Sequence, residues 1–138
     1  VVEEGIKGQE VECAVLGNRD AEASIVGEIG ASAQFYDYDD KYINGTSQLY
    51  IPARIDPEVS DKIRQAAVRA YRLLGCSGLA RVDFFVTEGD HRVILNEINT
   101  LPGFTSISMY PKLWMAMGLS YSQLLDRLVE LAFQKAGK

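Results

Sequence analysis

Cysteine and histidine are scarce in this chain, and no hydrophobic run in it is long. Two cysteines, Cys13 and Cys76, are too few for a disulfide scaffold in 138 residues. Cys13 alternates with Val11 and Val15, so it reads as a buried, reduced thiol rather than a bridge or a nucleophile. No apolar stretch approaches the roughly eighteen residues of a membrane span, and no signal-peptide pattern is present, so no membrane partner is expected. Positive charge is in deficit: 14 Lys and Arg against 19 Asp and Glu leave a net charge of −5, which argues against nucleic acid as a partner. His91, the only histidine, falls in a turn between strand-like runs and is assigned no catalytic role. An initiator methionine is missing too. The chain opens Val1-Val2-Glu3-Glu4, as if mid-strand, and the expectation is the C-terminal part of a longer protein. A reducing cytoplasm fits these absences.

What is present suffices for a core. The hydrophobic fraction is 47% and the charged fraction 24%, as in an ordinary soluble domain or a piece of one. The most informative stretch runs from Ala80 to Asn99. Two β-rich runs, Ala80–Val86 and Arg92–Asn99, flank the polar segment Thr87-Glu88-Gly89-Asp90-His91, which is a hairpin pattern. Centred on Asp90, that hairpin sets Asp83 opposite Glu97 and Arg81 opposite Asn99. Because side chains alternate faces, all four then project on one side. Two carboxylates and an amide oxygen on rigid backbone suit Mg²⁺, and a cation relieves the repulsion between the acids. The competing reading is a solvated face with ordinary cross-strand charge pairs. The Gly/Pro loop Thr100–Ser106, leaving the strand end that carries these groups, favours the site, because rigidly held loops concentrate binding groups.

Elsewhere the pattern is plain. Gln9–Leu16 alternates as a half-buried strand, with Glu10, Glu12 and Ala14 on one face and Val11, Cys13 and Val15 on the other. Gly17–Asp20 is a turn, and Ala23–Ile29 a second, antiparallel strand. Residues 30–50 lack periodicity but hold four aromatics among Phe35–Tyr42, and are expected to be a loop ordered by a ligand. Asp56 and Pro57 start a helix in which Val59, Ile63, Ala66, Ala67, Ala70, Leu73 and Leu74 face inward, stopped by Gly75. A short helix is expected over Lys112–Met117. Ser120 and Gln123 then open a last helix with Leu124, Leu125, Leu128 and Ala132 inward. The fold class is α+β with a mostly antiparallel sheet and flanking helices.

Asn96-Glu97-Ile98-Asn99-Thr100-Leu101-Pro102-Gly103-Phe104-Thr105, with Ser108-Met109-Tyr110-Pro111, resembles the C-terminal signature of the D-alanine–D-alanine ligases, which are ATP-grasp carboxylate–amine ligases. Glu3-Glu4, Gly8–Glu12, Phe35–Tyr38 with Lys41-Tyr42, and Ala80–Asp83 resemble further segments of that family in the same order. The resemblance implies that residues 1–138 are the C-terminal portion of an ATP-grasp domain, with 30–50 a mobile active-site loop. It implies ATP, two Mg²⁺ (or Mn²⁺) and D-alanine as the ligands, and a homodimer for the full-length protein. The implied reaction joins two D-alanines through an acyl phosphate, for peptidoglycan.

Carried over residue by residue, Asp83, Glu97 and Asn99 resemble the Mg²⁺ ligands, with Glu97 bridging the two ions. Arg81 resembles the arginine at the acyl phosphate and oxyanion, with a salt bridge to Asp83 or Glu97 as its other reading. Gly103 resembles a backbone donor to the oxyanion, or a turn glycine. Ser108 resembles the residue binding the second D-alanine's carboxylate, or a helix N-cap. Glu3, Glu4 and Ile6 resemble the adenine-contacting hinge, and Glu10 the ribose ligand. Phe85 is a candidate adenine contact that also reads as core, and Asn96 is grouped with the nucleotide ligands. Lys41 and Tyr42 resemble the tip of a lid over ATP, and Tyr42 points to a dipeptide rather than a D-lactate ester. The missing upstream segments imply that the chain alone is inactive. Another ATP-grasp ligase and a non-catalytic metal-binding fragment are the rival functions.

Overall fold

The computed structural model describes residues 2–30 and 48–137. Among them the elements run β1 (Gly8–Gly17), β2 (Glu22–Ile29), β3 (Leu49–Tyr50), α1 (Pro57–Leu73), β4 (Gly78–Thr87), β5 (Val93–Asn99), α2 (Met109–Ala116) and α3 (Tyr121–Lys135). The strands form one sheet in the order β3-β2-β1-β4-β5, and every pairing is antiparallel. The expected α+β class with flanking helices is therefore observed.

β1 is central, which corrects the half-buried reading: from Val11 to Leu16 every residue is buried. Its alternation does not divide core from water. It divides two cores. Val11, Cys13 and Val15 join Val82, Phe84 and Val86 beneath α1, whose Val59, Ile63, Ala67 and Tyr71 are buried there. Ala14 and Leu16 face the opposite way, into a cluster with Tyr110, Leu113 and Trp114 of α2 and Leu124 and Leu131 of α3. Two tyrosine hydroxyls fix the helices to the central strand, Tyr71 donating to the Gly17 carbonyl at 2.7 Å and Tyr110 to that of Val15 at 2.9 Å. Each bond satisfies a buried polar tip on a large apolar side chain.

The helix ends show what local sequence determines. Pro57 opens α1 as expected, but the Asp56 side chain makes no capping bond. Gly75 takes φ +66 after the last turn, a left-handed stop for which glycine is suited. Leu73 and Leu74, expected inward, are exposed, as are Leu125 and Ala132 on α3, whereas Tyr71 and Leu131 are buried instead. Ser120 and Gln123 form the reciprocal capping box. α2 begins at Met109, earlier than the expected Lys112.

Leu49–Tyr50 pairs with β2, so the 30–50 segment is not wholly irregular, and the Gly30 amide donates to the Gln48 carbonyl at 2.7 Å. Lys41, Tyr42 and the rest of the expected lid tip lie outside the described residues. Beside β3, Arg54 reaches back to β2. Its guanidinium and amide bond the buried Glu28 carboxylate at 2.7–3.1 Å, and the guanidinium stacks 3.6 Å over the Tyr50 ring.

Candidate functional site

The β4–β5 hairpin decides where the coordinating groups stand. Arg81 lies opposite Asn99, Val82 opposite Ile98, and Asp83 opposite Glu97, as expected from the sequence. Nearer the turn the pairing changes: Phe84 faces Leu95, Phe85 faces Ile94 and Val86 faces Val93. Asn96 is the extra residue of a β-bulge, so the hairpin is not centred on Asp90 throughout. The bulge matters because a one-residue slip reverses which side of the sheet each side chain occupies. With the turn's register carried through unbroken, Glu97 and Asn99 would point into the core beneath α1. The bulge turns them to the face of Arg81 and Asp83.

Phe85, Glu10 and Glu12 share that face, since Glu10 pairs with Phe85 and Glu12 with Asp83 across β1 and β4. Glu12, Asp83 and Glu97 thus form a row across three adjacent strands. Arg81 pairs with two members of it. Its Nε donates to Asp83 Oδ1 at 2.8 Å and its Nη2 to Oδ2 at 2.7 Å, while Nε also lies 3.1 Å from Glu12 Oε2. The salt-bridge reading of Arg81 is therefore realised, with Asp83 rather than Glu97. Burial works against the charged guanidinium, yet the Asp83 hydrogen bonds and the Glu12, Asp83 and Glu97 charges outweigh it and push the Arg81 pKa up. Asp83 and Glu12 are buried, Asn99 is half-buried, and Asn96 and Glu97 are exposed on the edge strand.

Asn99 Oδ1 accepts from the Leu101 amide at 3.1 Å, holding the start of the following loop. In that loop a Cβ on Gly103 would stand 3.0 Å from Ser108 Oγ, so these two candidates are neighbours. Ser108 occupies the N-cap of α2, but its hydroxyl accepts from the Thr105 amide at 3.0 Å and caps no helix amide. Phe104 packs on Tyr110 and Tyr121, whose hydroxyl donates to the Phe104 carbonyl, and so anchors the loop to α2 and α3. At the other end, Glu3 and Glu4 are exposed and Ile6 half-buried ahead of β1. The Lys7 carbonyl accepts from the Glu88 amide at 3.1 Å, tying this segment to the hairpin turn.

Sequence reasoning assigned no role to Glu12. The signal was available: an acid on the strand facing Asp83, at a position whose neighbours Val11 and Cys13 point into the opposite core. Among the described residues no group of three or more His, Cys, Asp or Glu side chains is arranged to hold a metal. The donor chemistry nonetheless fits a hard cation, since Asp83, Glu97 and Asn99 offer oxygens only.

The site is thus an antiparallel sheet with helices on both faces whose bulged edge hairpin presents acids beside an arginine. Comparison with known proteins narrows the class. The chain belongs to the family described as D-ala D-ala ligase C-terminus, whose model matches residues 1–130. It is 59% identical over 136 residues to D-alanine--D-alanine ligase A of Salmonella typhimurium, covering 98% of this chain and 37% of the relative. The VanG D-Ala:D-Ser ligase of Enterococcus faecalis superposes with a TM-score of 0.80 at 50% identity, over 94% of this chain and 37% of that one. The D-alanine–D-alanine ligase of Bacillus anthracis, solved in complex with ATP, gives 0.77 at 30% identity, over 96% and 40%. The chain therefore spans little more than a third of the length of these relatives.

Proposed function

We propose that this chain supplies the metal- and acyl-phosphate-binding part of an ATP-dependent ligase that joins two D-alanines for peptidoglycan. The observation that carries the reading is the bulged register, which puts Asp83, Glu97 and Asn99 beside Arg81 on one face. In this reading those three residues would hold two divalent cations, Mg²⁺ or Mn²⁺, which when bound would supply positive charge against the triphosphate and the transferred phosphoryl group.

The remaining roles belong to the chain's own groups. Arg81 presents a permanent positive charge to the acyl phosphate and to the oxyanion formed as the second amine attacks. Gly103 offers its amide to that oxyanion, and Ser108 beside it receives the acceptor's carboxylate. Glu3, Glu4 and Ile6 line the adenine side with Phe85, and Glu10 accepts the ribose hydroxyls. Asn96, thrust out by the bulge, reaches the nucleotide. Lys41 and Tyr42 close over ATP and keep water from the acyl phosphate, whose hydrolysis would waste the nucleotide. Much of the chemistry is positioning plus charge stabilisation, as in phosphoryl transfer generally. A cytoplasmic homodimer is the setting we infer; no helix among the described residues is long and apolar enough to cross a membrane.

The name of the Enterococcus relative makes the acceptor a separate question, since a similar fold there serves D-serine. The test is phosphate release by the protein at its full natural length, with ATP, Mg²⁺ and D-alanine, alone or with added D-serine, D-lactate or L-alanine. The expected result is release with D-alanine that the added compounds do not raise and that disappears in Glu97→Gln. Release without D-alanine dependence, or unaffected by Glu97→Gln, contradicts the reading.

A further inference from the structure

Glu12 has no place in the roles above, yet it is the most deliberately placed acid in the sheet. Its side chain is 6% exposed and lies 3.1 Å from Arg81 Nε. It stands on the central strand, hydrogen-bonded on both sides, directly across from Asp83. One guanidinium needs one carboxylate for neutrality. Arg81 has two, and its side chain is 19% exposed, so water does little to screen it.

The second carboxylate has a use. Both Asp83 oxygens are engaged by Arg81, and a cation that coordinates Asp83 competes for them. An arginine so far from water is costly to leave unpartnered. Glu97 does not fill the gap: it is exposed on the edge strand, and no ion pair joins it to Arg81 among the described residues. We propose that Glu12 is a positioning residue, the standing counter-ion that keeps Arg81 in place when a divalent cation takes Asp83. This rests on the reading of Asp83 as a cation ligand. Without the Glu12 charge, Arg81 clings to Asp83 and the cation binds less readily.

The test is Mn²⁺ binding, followed by the paramagnetic resonance signal of the free ion, in the full-length protein with a non-hydrolysable ATP analogue. Glu12→Gln is expected to weaken Mn²⁺ about tenfold, and by less than about twofold in an Arg81→Met background, a coupling typical of contacting charges. An equal loss in both backgrounds means a direct effect of Glu12 charge on the ion and overturns the proposal; so does an unchanged affinity in Glu12→Gln. Asp83→Asn separates the two levels. If it leaves Mn²⁺ binding intact, the cation reading itself fails; if it abolishes binding while Glu12→Gln does nothing, only the role of Glu12 fails. Should Glu12→Gln not fold, the wild-type Arg81 Nε–H decides by nuclear magnetic resonance. It is expected to stay protected from exchange on adding Mg²⁺ and the analogue, and loss of protection overturns the proposal.

Discussion

The face of the sheet opposite α1 has two halves built from the same strands by the same alternation, and they do opposite things. Toward Gly17, positions Ala14, Leu16 and Leu79 are apolar and covered by α2 and α3. Two residues further along β1 and β4 the same positions become Glu12, Arg81 and Asp83, held by ion pairs instead of packing. The lesson is economy of backbone. A strand rigid enough to support a core in one half holds charges at fixed spacing in the other, and only the side chains change.

The sharpest way to break this contrast is to delete Glu97. Asn96 then falls opposite Asp83, the bulge disappears, and Ile98 and Asn99 keep their partners Val82 and Arg81. Ligase activity in the full-length protein is expected to fall to background because an amide replaces the carboxylate, with little change in melting temperature because Ile98 stays beneath α1. Glu97→Gln is the milder version. Because Glu97 is exposed, urea unfolding is expected to move by less than about 0.5 kcal/mol, while kcat falls on the order of 10²–10³-fold, as when one stabilising group of a charged transition state is removed.

The covered half should answer in the opposite currency. Leu113, fully buried where α2 packs over Gly27 of β2, is expected to cost about 2–5 kcal/mol when changed to Ala, read by urea titration, with kcat per folded molecule nearly preserved. Smallest is the pH response of Glu28. Burial alone would raise its pKa, but the Arg54 hydrogen bonds and charge prevail and lower it. A depressed carboxylate contributes stability that is present above its unfolded value, about 4.3, and lost as pH falls through the lower folded value. Urea midpoints of wild type and Glu28→Gln should therefore differ at pH 7 and converge in acid. A gap that persists below the folded pKa contradicts the ion-pair account.

Much of this was legible beforehand because period-two patterns specify strands well. The Asp83–Glu97 and Arg81–Asn99 pairs followed from parity about Asp90, and the Ser120–Gln123 box from its spacing. The bulge was not legible. Asn96 and Glu97 are both poor strand formers, so propensity does not say which of them is the extra residue, and the register error at the turn cancelled against the bulge at Asp83 and Glu97. The centrality of β1 was hidden for another reason: Glu10 and Glu12 read as a solvent face, whereas Glu12 is buried by neighbouring strands and compensated by Arg81, a partner far along the chain. Leu73 and Leu74 misled in the reverse sense, since apolar residues at a helix end need not be covered. Of the two readings of Arg81, the salt bridge is the one observed, with Asp83 and with Glu12.

The central claim is that the bulged pairing of β4 and β5 sets oxygens of Asp83, Glu97 and Asn99 on one face, where they would hold divalent cations. A crystal structure of the full-length protein with Mg²⁺ and a non-hydrolysable ATP analogue tests it most directly. The account requires Mg²⁺ ions that between them lie about 2.1 Å from oxygens of all three residues, with Asn96 still the unpaired residue of β5. Mg²⁺ sites that leave Asp83 or Glu97 uncoordinated, or a β5 register that turns Glu97 toward α1, would contradict it.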